Sequence, residues 1–348
     1  PNWNPMNVCS YHLQEAGATP VQEIAFSMAN AISILDVVRA MPEVSDETLT
    51  RVFGRISFFL NAGIRFVEEM CKCRAMNILW EEIGRERYGI TEAKMLRLRY
   101  GVQVNSLGLT EAQPENNIIR IALEALGVTL SKKARTRSLQ LPAWNEALGL
   151  PRPWDQQLSL RTQQILAYET DLLEYGDLFD GSHVVEAKTT ELLEAARAEL
   201  QQVLDMGGAV TAIENAYMKQ KLVESHTARI REIESGDLTV VGVNAYQEAV
   251  DSPLVEEGSG SILKVDENAE REQIQSLEAF RKSRSSADVK SALQNLEDAV
   301  NNGDNIMPPS IAAAKAGVTT GEWSQVLRTV FGEYRAPTGV VSAPMSHA

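Results

Sequence analysis

The first 150 residues alternate short apolar runs with long amphipathic stretches, and this alternation restricts the fold more than any other feature of the chain. Strand candidates are Met6–Ser10, Arg55–Leu60, Met95–Val102 and Thr136–Leu141. Helical spacing covers Pro20–Met41, Ala62–Tyr88 and Pro114–Leu126. In the second of these, Phe66, Met70, Cys73, Asn77 and Trp80 recur at helix-compatible intervals. Strand, helix and strand at this spacing predict parallel strands joined by right-handed crossovers. Four such units make an α/β fold, half of an eight-unit TIM (β/α)8 barrel, with an open doubly wound sheet as the competing architecture. No GxGxxG follows any strand, so the nucleotide-binding form of that open sheet lacks its motif. A barrel places functional residues at the carboxyl ends of its strands, where Tyr11, His12, Asn61, Gln103 and Gln140 stand.

From Pro151 the pattern turns almost wholly helical, with Leu158–Tyr175, Lys188–Met206, Val210–Ser235 and Glu270–Asn301 as helices. Met206-Gly207-Gly208 stops one helix before the next begins. Leu238–Val243 reads as a short strand and Pro253–Gly260 as a loop. The expected organisation is a half-barrel over 1–150, a helical extension packed on it over 151–265, a helical linker region over 266–334, and a flexible tail over 335–348.

The 348 residues carry a formal charge of −14, against the basic footprint that nonspecific nucleic-acid binding needs. No stretch approaches the roughly 18 apolar residues that span a bilayer, so no membrane partner is expected. The start, PNWNPMNVCSYH, lacks a secretory signal and an initiator Met, which suggests a fragment. Cys9, Cys71 and Cys73 are too few for a disulfide framework, and the compartment reads as cytoplasmic.

Four histidines occur. His347 is in the tail, His226 falls in a charged helix as a solvated residue, and His183 follows a turn. His12 differs, because it ends the first strand beside Tyr11 and precedes Gln14-Glu15-Ala16-Gly17-Ala18. A titratable ring, a phenol and a small-residue loop together suit a polar ligand pocket, although a structural histidine fits the same place. Gln113-Pro114-Glu115-Asn116-Asn117 opens a helix; its amides could hold an anion or a hydroxyl, or simply cap the helix. Arg55-Ile56-Ser57 starts a strand and taken alone is an ordinary edge charge. No HExxH, zinc set, GxSxG elbow or P-loop is present.

Several blocks in order resemble the methylmalonyl-CoA mutase family. Tyr11-His12-Leu13-Gln14-Glu15-Ala16-Gly17-Ala18 resembles its YHxxEAGA signature, and Arg55-Ile56-Ser57-Phe58-Phe59 its RLSFF strand. Gln113 with Asn116-Asn117 is similar to its Q-x-x-x-N-N segment, one residue shorter. Arg161-Thr162-Gln163-Gln164-Ile165 and Val241-Gly242-Val243-Asn244 match two later landmarks. The resemblance covers about residues 1–330. Leu141 to Pro151, Arg152 to Gln157 and Asp171 to Ser182 are most similar to the family's ethylmalonyl branch.

The resemblance implies the second half of a substrate barrel in an adenosylcobalamin-dependent radical isomerase. That enzyme would convert ethylmalonyl-CoA to methylsuccinyl-CoA by thioester migration. The alternatives are methylmalonyl-CoA or another branched acyl-CoA as substrate, or a non-catalytic remnant of the fold. It also implies site roles. His12 would hydrogen-bond the thioester carbonyl, Gln113 would place substrate or the deoxyadenosyl ribose, and Tyr11 would pack near the corrin. Arg55, Ser57 and Ser138 would contact CoA, while Glu15, Gly17, Ala18 and Asn117 would lie on the cofactor side. The family's D-x-H-x-x-G cobalt-ligand motif and its amino-terminal half-barrel are missing. The chain is therefore expected to act as part of a larger mutase, partnered by a cobalamin-binding domain or subunit, in a dimer or larger assembly.

Overall fold

The computed structural model describes residues 6–248, 250, 252, 254, 262–264 and 266–335. Four parallel strands form one sheet in chain order: β1 (Asn7–Cys9), β2 (Ser57–Ala62), β3 (Tyr100–Val104) and β4 (Leu139–Gln140). Val8 pairs with Phe58, Phe58 with Tyr100, and Val102 with Leu139. One face of the sheet carries Val8, Phe58, Leu60, Val102 and Val104, all buried against helices. The alternate face carries Cys9, Ser57, Phe59, Gln103, Ser138 and Gln140, which are exposed or half-buried. Gly101 lets that second face close, because a Cβ there would lie 2.3 Å from Ser138 Oγ and 3.1 Å from the Phe59 ring.

Between β1 and β2 run α1 (Tyr11–Glu15), α2 (Pro20–Arg39) and α3 (Asp46–Phe53); α4 (Phe66–Glu82) leads to β3 and α5 (Asn116–Leu130) to β4. Thr19 starts α2 through a reciprocal capping box with Gln22, with Pro20 in its first turn. Contrary to the expectation that nothing approaches a membrane span, α2 is long and apolar enough to qualify, with a mean hydropathy of 1.4 over its best window. Ten of its residues are buried, and among them Glu23 carries an ion pair inside the protein, so its apolar surface builds the core behind the sheet.

The helices after Pro151 are α6 (Pro153–Tyr168), α7 (His183–Asp205), α8 (Ala209–Glu214) and α9 (Tyr217–Ser235). They belong to the same compact unit as the sheet, which ends at Leu263. Along α7, Val185, Leu192, Ala196, Leu200 and Val203 form a buried stripe that packs on α2 and α4. A second unit, residues 264–336, holds α10 (Glu267–Ser283), α11 (Ser286–Asn302), α12 (Met307–Lys315) and α13 (Thr320–Phe331). Val289, Ala292, Leu296 and Val300 of α11 form its core, and Arg284 is bonded to Glu322 and the Gly317 carbonyl.

The departures from the sequence expectation have local causes. The third strand begins at Tyr100 rather than Met95, since Leu96 and Leu98 pack into the core without ladder partners. α6 starts early because Asp155 and Arg152 close its first turn and Pro153 is preset for a helix start. One expected helix, Val210–Ser235, is broken at Ala216 with φ 60°, and another, Glu270–Asn301, at Arg284, after which Ser285 caps α11. Leu238–Val243 forms no strand; a single bridge joins Val241 to Ala245 around Gly242. α3, α12 and α13 carry cap signals (Ser45, Pro308, Thr319) that the coarse periodicity passed over. Most of Pro253–Gly260 and all of the tail beyond Arg335 lie outside the described residues.

Candidate functional site at the strand ends

β1 runs directly into α1. Ser10 N donates to Phe59 O at 2.8 Å, continuing the ladder for one residue past the strand. α1 has five residues and no side-chain N-cap, too short to hold itself as a helix. Its outer side bears Tyr11 and the exposed His12, whose rings lie 3.9 Å apart; Tyr11 also meets Phe59 edge-on at 5.3 Å. Its inner side is anchored by polar groups. Glu15 Oε1 accepts from Asn61 Nδ2 at 3.0 Å, Ser106 N at 3.0 Å and Ser106 Oγ at 3.1 Å, tying α1 to the ends of β2 and β3.

Beneath α1 lies a buried ionic cluster. Lys72 of α4 is wholly buried and reaches Glu23 Oε2 at 2.6 Å, Glu69 Oε2 at 2.5 Å, Asn61 O at 2.7 Å and Gln14 Oε1 at 3.3 Å. Gln14 Nε2 donates to Glu69 Oε1 at 2.8 Å, and Glu23 Oε1 accepts from Ser10 Oγ at 2.9 Å and Asn61 N at 3.0 Å. Burial alone would lower the Lys72 pKa, but Glu23 and Glu69 overcome it and hold the ammonium above its ordinary value. The cluster was not foreseen from the sequence. In a helix as uniformly buried as α4, nothing local distinguishes Lys72 and Glu69 from surface charges.

Glu124 of α5 is the other unforeseen group. It is 2% exposed, its Oε2 has no hydrogen-bond partner among the described residues, and burial pushes its carboxyl up to about 9. Glu69 and Glu15 add to that rise, with Arg120 opposing. Glu146, following β4, is also raised, by partial burial and by Glu15.

The structure brings together some of the expected site residues and separates others. His12, Tyr11 and Glu15 share α1 at the strand ends. Gln103 and Gln140 stand beside them in register, Asn61 with Gln103 and Gln103 with Gln140. Arg55, Ser57 and Ser138 lie at the opposite, amino-terminal end of the same sheet. Gln113 does not join His12. It adopts φ 49° in the loop before α5 and donates through Nε2 to Tyr246 O at 3.0 Å, binding the 240–248 segment instead. Gln103, inside the ladder, is the amide in register with Asn61 and Gln140. Asn117 cannot face a ligand: it is fully buried, Oδ1 accepts from Thr110 N and Arg120 Nη1, and Nδ2 donates to Thr110 O and Trp144 O. Gly17 and Ala18 form the turn into α2. Gly17 is covered by α9, where a Cβ would lie 2.4 Å from His226 Cβ, and Ala18 is buried. His226 is therefore not a solvated helix residue; its Nδ1 is buried without a partner among the described residues.

Outside the barrel wall, a groove of about 560 Å³ is lined by Arg74, Arg97, Lys132, Lys133, Arg135 and Arg137 among others. Arg137 has the parity of Leu139, which packs with the outer core, so this groove faces the helix layer and not the strand-end site. Among the described residues no cluster of His, Cys, Asp and Glu could hold a metal ion.

Parallel strands flanked by helices, with a histidine and amides gathered at the strands' carboxyl ends, define an enzyme-type (β/α) barrel half. Methylmalonyl-CoA mutase is the family that matches, over residues 1–333, and the chain belongs to it. The ethylmalonyl-CoA mutase of Methylorubrum extorquens is 62% identical over 98% of this chain and 49% of its own length. That of Cereibacter sphaeroides is 61% identical over 99% of this chain and 52% of its own. Human mitochondrial methylmalonyl-CoA mutase is 32% identical over 98% of this chain and 44% of its own. The chain thus spans about half the length of the curated relatives it matches. Its sheet order is that of half a TIM barrel, the fold of this family.

Proposed function

We propose that this chain is the second half of the substrate barrel of an adenosylcobalamin-dependent acyl-CoA mutase that converts ethylmalonyl-CoA to methylsuccinyl-CoA. The observation that carries this is the exposed His12 imidazole at the strand ends, in line with a polar sheet face that runs down to Ser57 and Ser138. From Ser57 to Asn61 and on to α1 is roughly 16 Å at about 3.3 Å per residue, a span suited to an extended pantetheine arm. Its phosphates would lie by Arg55 and Ser57, where a guanidinium suits phosphate oxygens. Its thioester would lie by His12. There the imidazole donates a hydrogen bond to the carbonyl oxygen, placing positive charge where negative charge develops as the group migrates. Gln103 and Gln140 flank that position and fix its orientation.

The strand-end rim offers what a corrin periphery and a ribose need: the Tyr11 ring, the Glu15 and Glu146 carboxylates and the Gln140 amide. It fits the cofactor's organic part, whereas the cobalt ligand would come from a domain outside this chain. Adenosylcobalamin would supply the carbon-centred radical when bound. The identities of 62% and 32% favour the ethylmalonyl over the methylmalonyl substrate.

In the full-length polypeptide containing these residues, His12→Ala should lower kcat for ethylmalonyl-CoA by about 100-fold or more, within the range of lost acid–base assistance. Unchanged turnover would overturn the assignment. Turnover of methylmalonyl-CoA above ethylmalonyl-CoA would overturn the substrate.

A further inference from the structure

Beyond the residues that meet substrate, we infer that Gln14 is a positioning residue that transmits the rigidity of the buried Lys72 cluster to His12. The inference rests on the reading of His12 above. α1 has a single buried side chain, and it is Gln14. A five-residue helix without a side-chain cap has no stability of its own, so His12 is only as fixed as the anchors of α1. The Tyr11 ring, tilted at 32° against His12 and half-buried on the same outer side, adds only an edge contact with Phe59.

Gln14 meets the cluster with matched polarity at both ends of its amide. Oε1 accepts from Lys72 Nζ at 3.3 Å and Nε2 donates to Glu69 Oε1 at 2.8 Å. The primary amide offers an acceptor to the buried cation and a donor to the buried anion from one planar group. Lys72 is itself fixed by Glu23 and by the Asn61 carbonyl of β2, so Gln14 is referenced to the sheet and not to a mobile surface. Glu15, the next residue, holds the end of α1 to Asn61 and Ser106. Between these anchors the Cα of His12 has little freedom. Without Gln14, α1 would keep Glu15, the packing of Leu13 on the core and the Tyr11–Phe59 contact, but would lose its one buried polar anchor.

The test is a double-mutant cycle in the reconstituted full-length enzyme, using Gln14→Met, His12→Ala and the pair. Gln14→Met keeps the length of the side chain and removes both bonds. It should lower kcat about 10- to 100-fold, the scale expected for misplacing a reacting group by an ångström, with KM within twofold. In the His12→Ala background the same change should have almost no further effect. Gln14→Asn, which keeps the amide but withdraws it by one methylene, should fall between parent and Gln14→Met and guards against a Met variant that fails to fold. Independently of turnover, the His12 ring resonances, assigned by their loss in His12→Ala, should shift or broaden in the Gln14 variants while those of His183 stay unchanged. An equal loss from Gln14→Met in both backgrounds, or an unmoved His12 resonance, would overturn the inference while leaving the role of His12 intact. If His12→Ala alone is silent, the functional reading fails and this inference fails with it.

Discussion

At the residue scale, the protein spends its most unusual interactions on charges that carry no signal in the sequence. Glu124 is the clearest case, because it is buried, its Oε2 is unpartnered among the described residues, and its carboxyl is pushed up to about 9. A carboxyl with a raised folded pKa binds its proton more tightly when folded. The stability tied to that proton is complete below the unfolded value near 4.3 and declines as pH rises through the folded value. Glu124→Gln removes the titration while keeping the shape. Thermal unfolding should therefore show the variant more stable than the parent at pH 7, by up to about 3 kcal/mol, with the difference vanishing near pH 4. A difference independent of pH would show that Glu124 is ionised in the folded protein. Lys72 illustrates the converse, an ammonium kept charged by Glu23 and Glu69 despite burial.

Between elements, small residues decide how closely helices approach the strand ends. Gly17 has φ 103°, and a Cβ on it would fall 2.4 Å from His226 Cβ of α9. Ser225 Oγ donates to the Gly17 carbonyl at 2.7 Å in the same contact. Alanine there would meet both backbone strain and a rigid neighbour, so Gly17→Ala should lower stability by about 2–4 kcal/mol. Gly181, with φ 80° and nothing within 4 Å, makes the control: Gly181→Ala meets the strain alone and should lower it by about 1 kcal/mol. Equal shifts of Tm for the two variants would mean that α9 yields and does not seat the α1–α2 turn. The helix boundaries follow the same logic. Ser182 sets a start that hydrophobic spacing alone places at Lys188, and Ser45 and Ser285 begin helices that the spacing missed or merged with a neighbour.

At the scale of the whole molecule, β1 and β4 are the two ends of the sheet, and the polar face beside them is open. Edge strands with free backbone groups invite pairing with another chain. Expressed alone, the 348 residues should give no turnover with ethylmalonyl-CoA and adenosylcobalamin, and light scattering should show self-association. Turnover by the isolated chain would sink the proposal that further strands and a cobalt ligand must be supplied.

The alternation of strands and helices and the half-barrel follow from the sequence, because period and residue type are local properties of the chain, whereas His12, expected to end the first strand, stands with Tyr11 and Glu15 in α1 beyond β1. The third strand shifts by several residues for the same reason, since Met95, Leu96 and Leu98 are apolar enough to pass as a strand until pairing excludes them. The candidate site was legible only in part. Gln113 and Asn117 carry the right side chains near the right helix, yet one is turned toward Tyr246 and the other is consumed by Thr110, Arg120 and Trp144. Gln103, expected at a strand end, stands there in register with Asn61 and Gln140. Which charges are buried was decided by the tertiary structure alone. Burial and pairing join Gln14, Glu23, Asn61 and Lys72 from four separate elements, and no pattern within any one of them records that meeting.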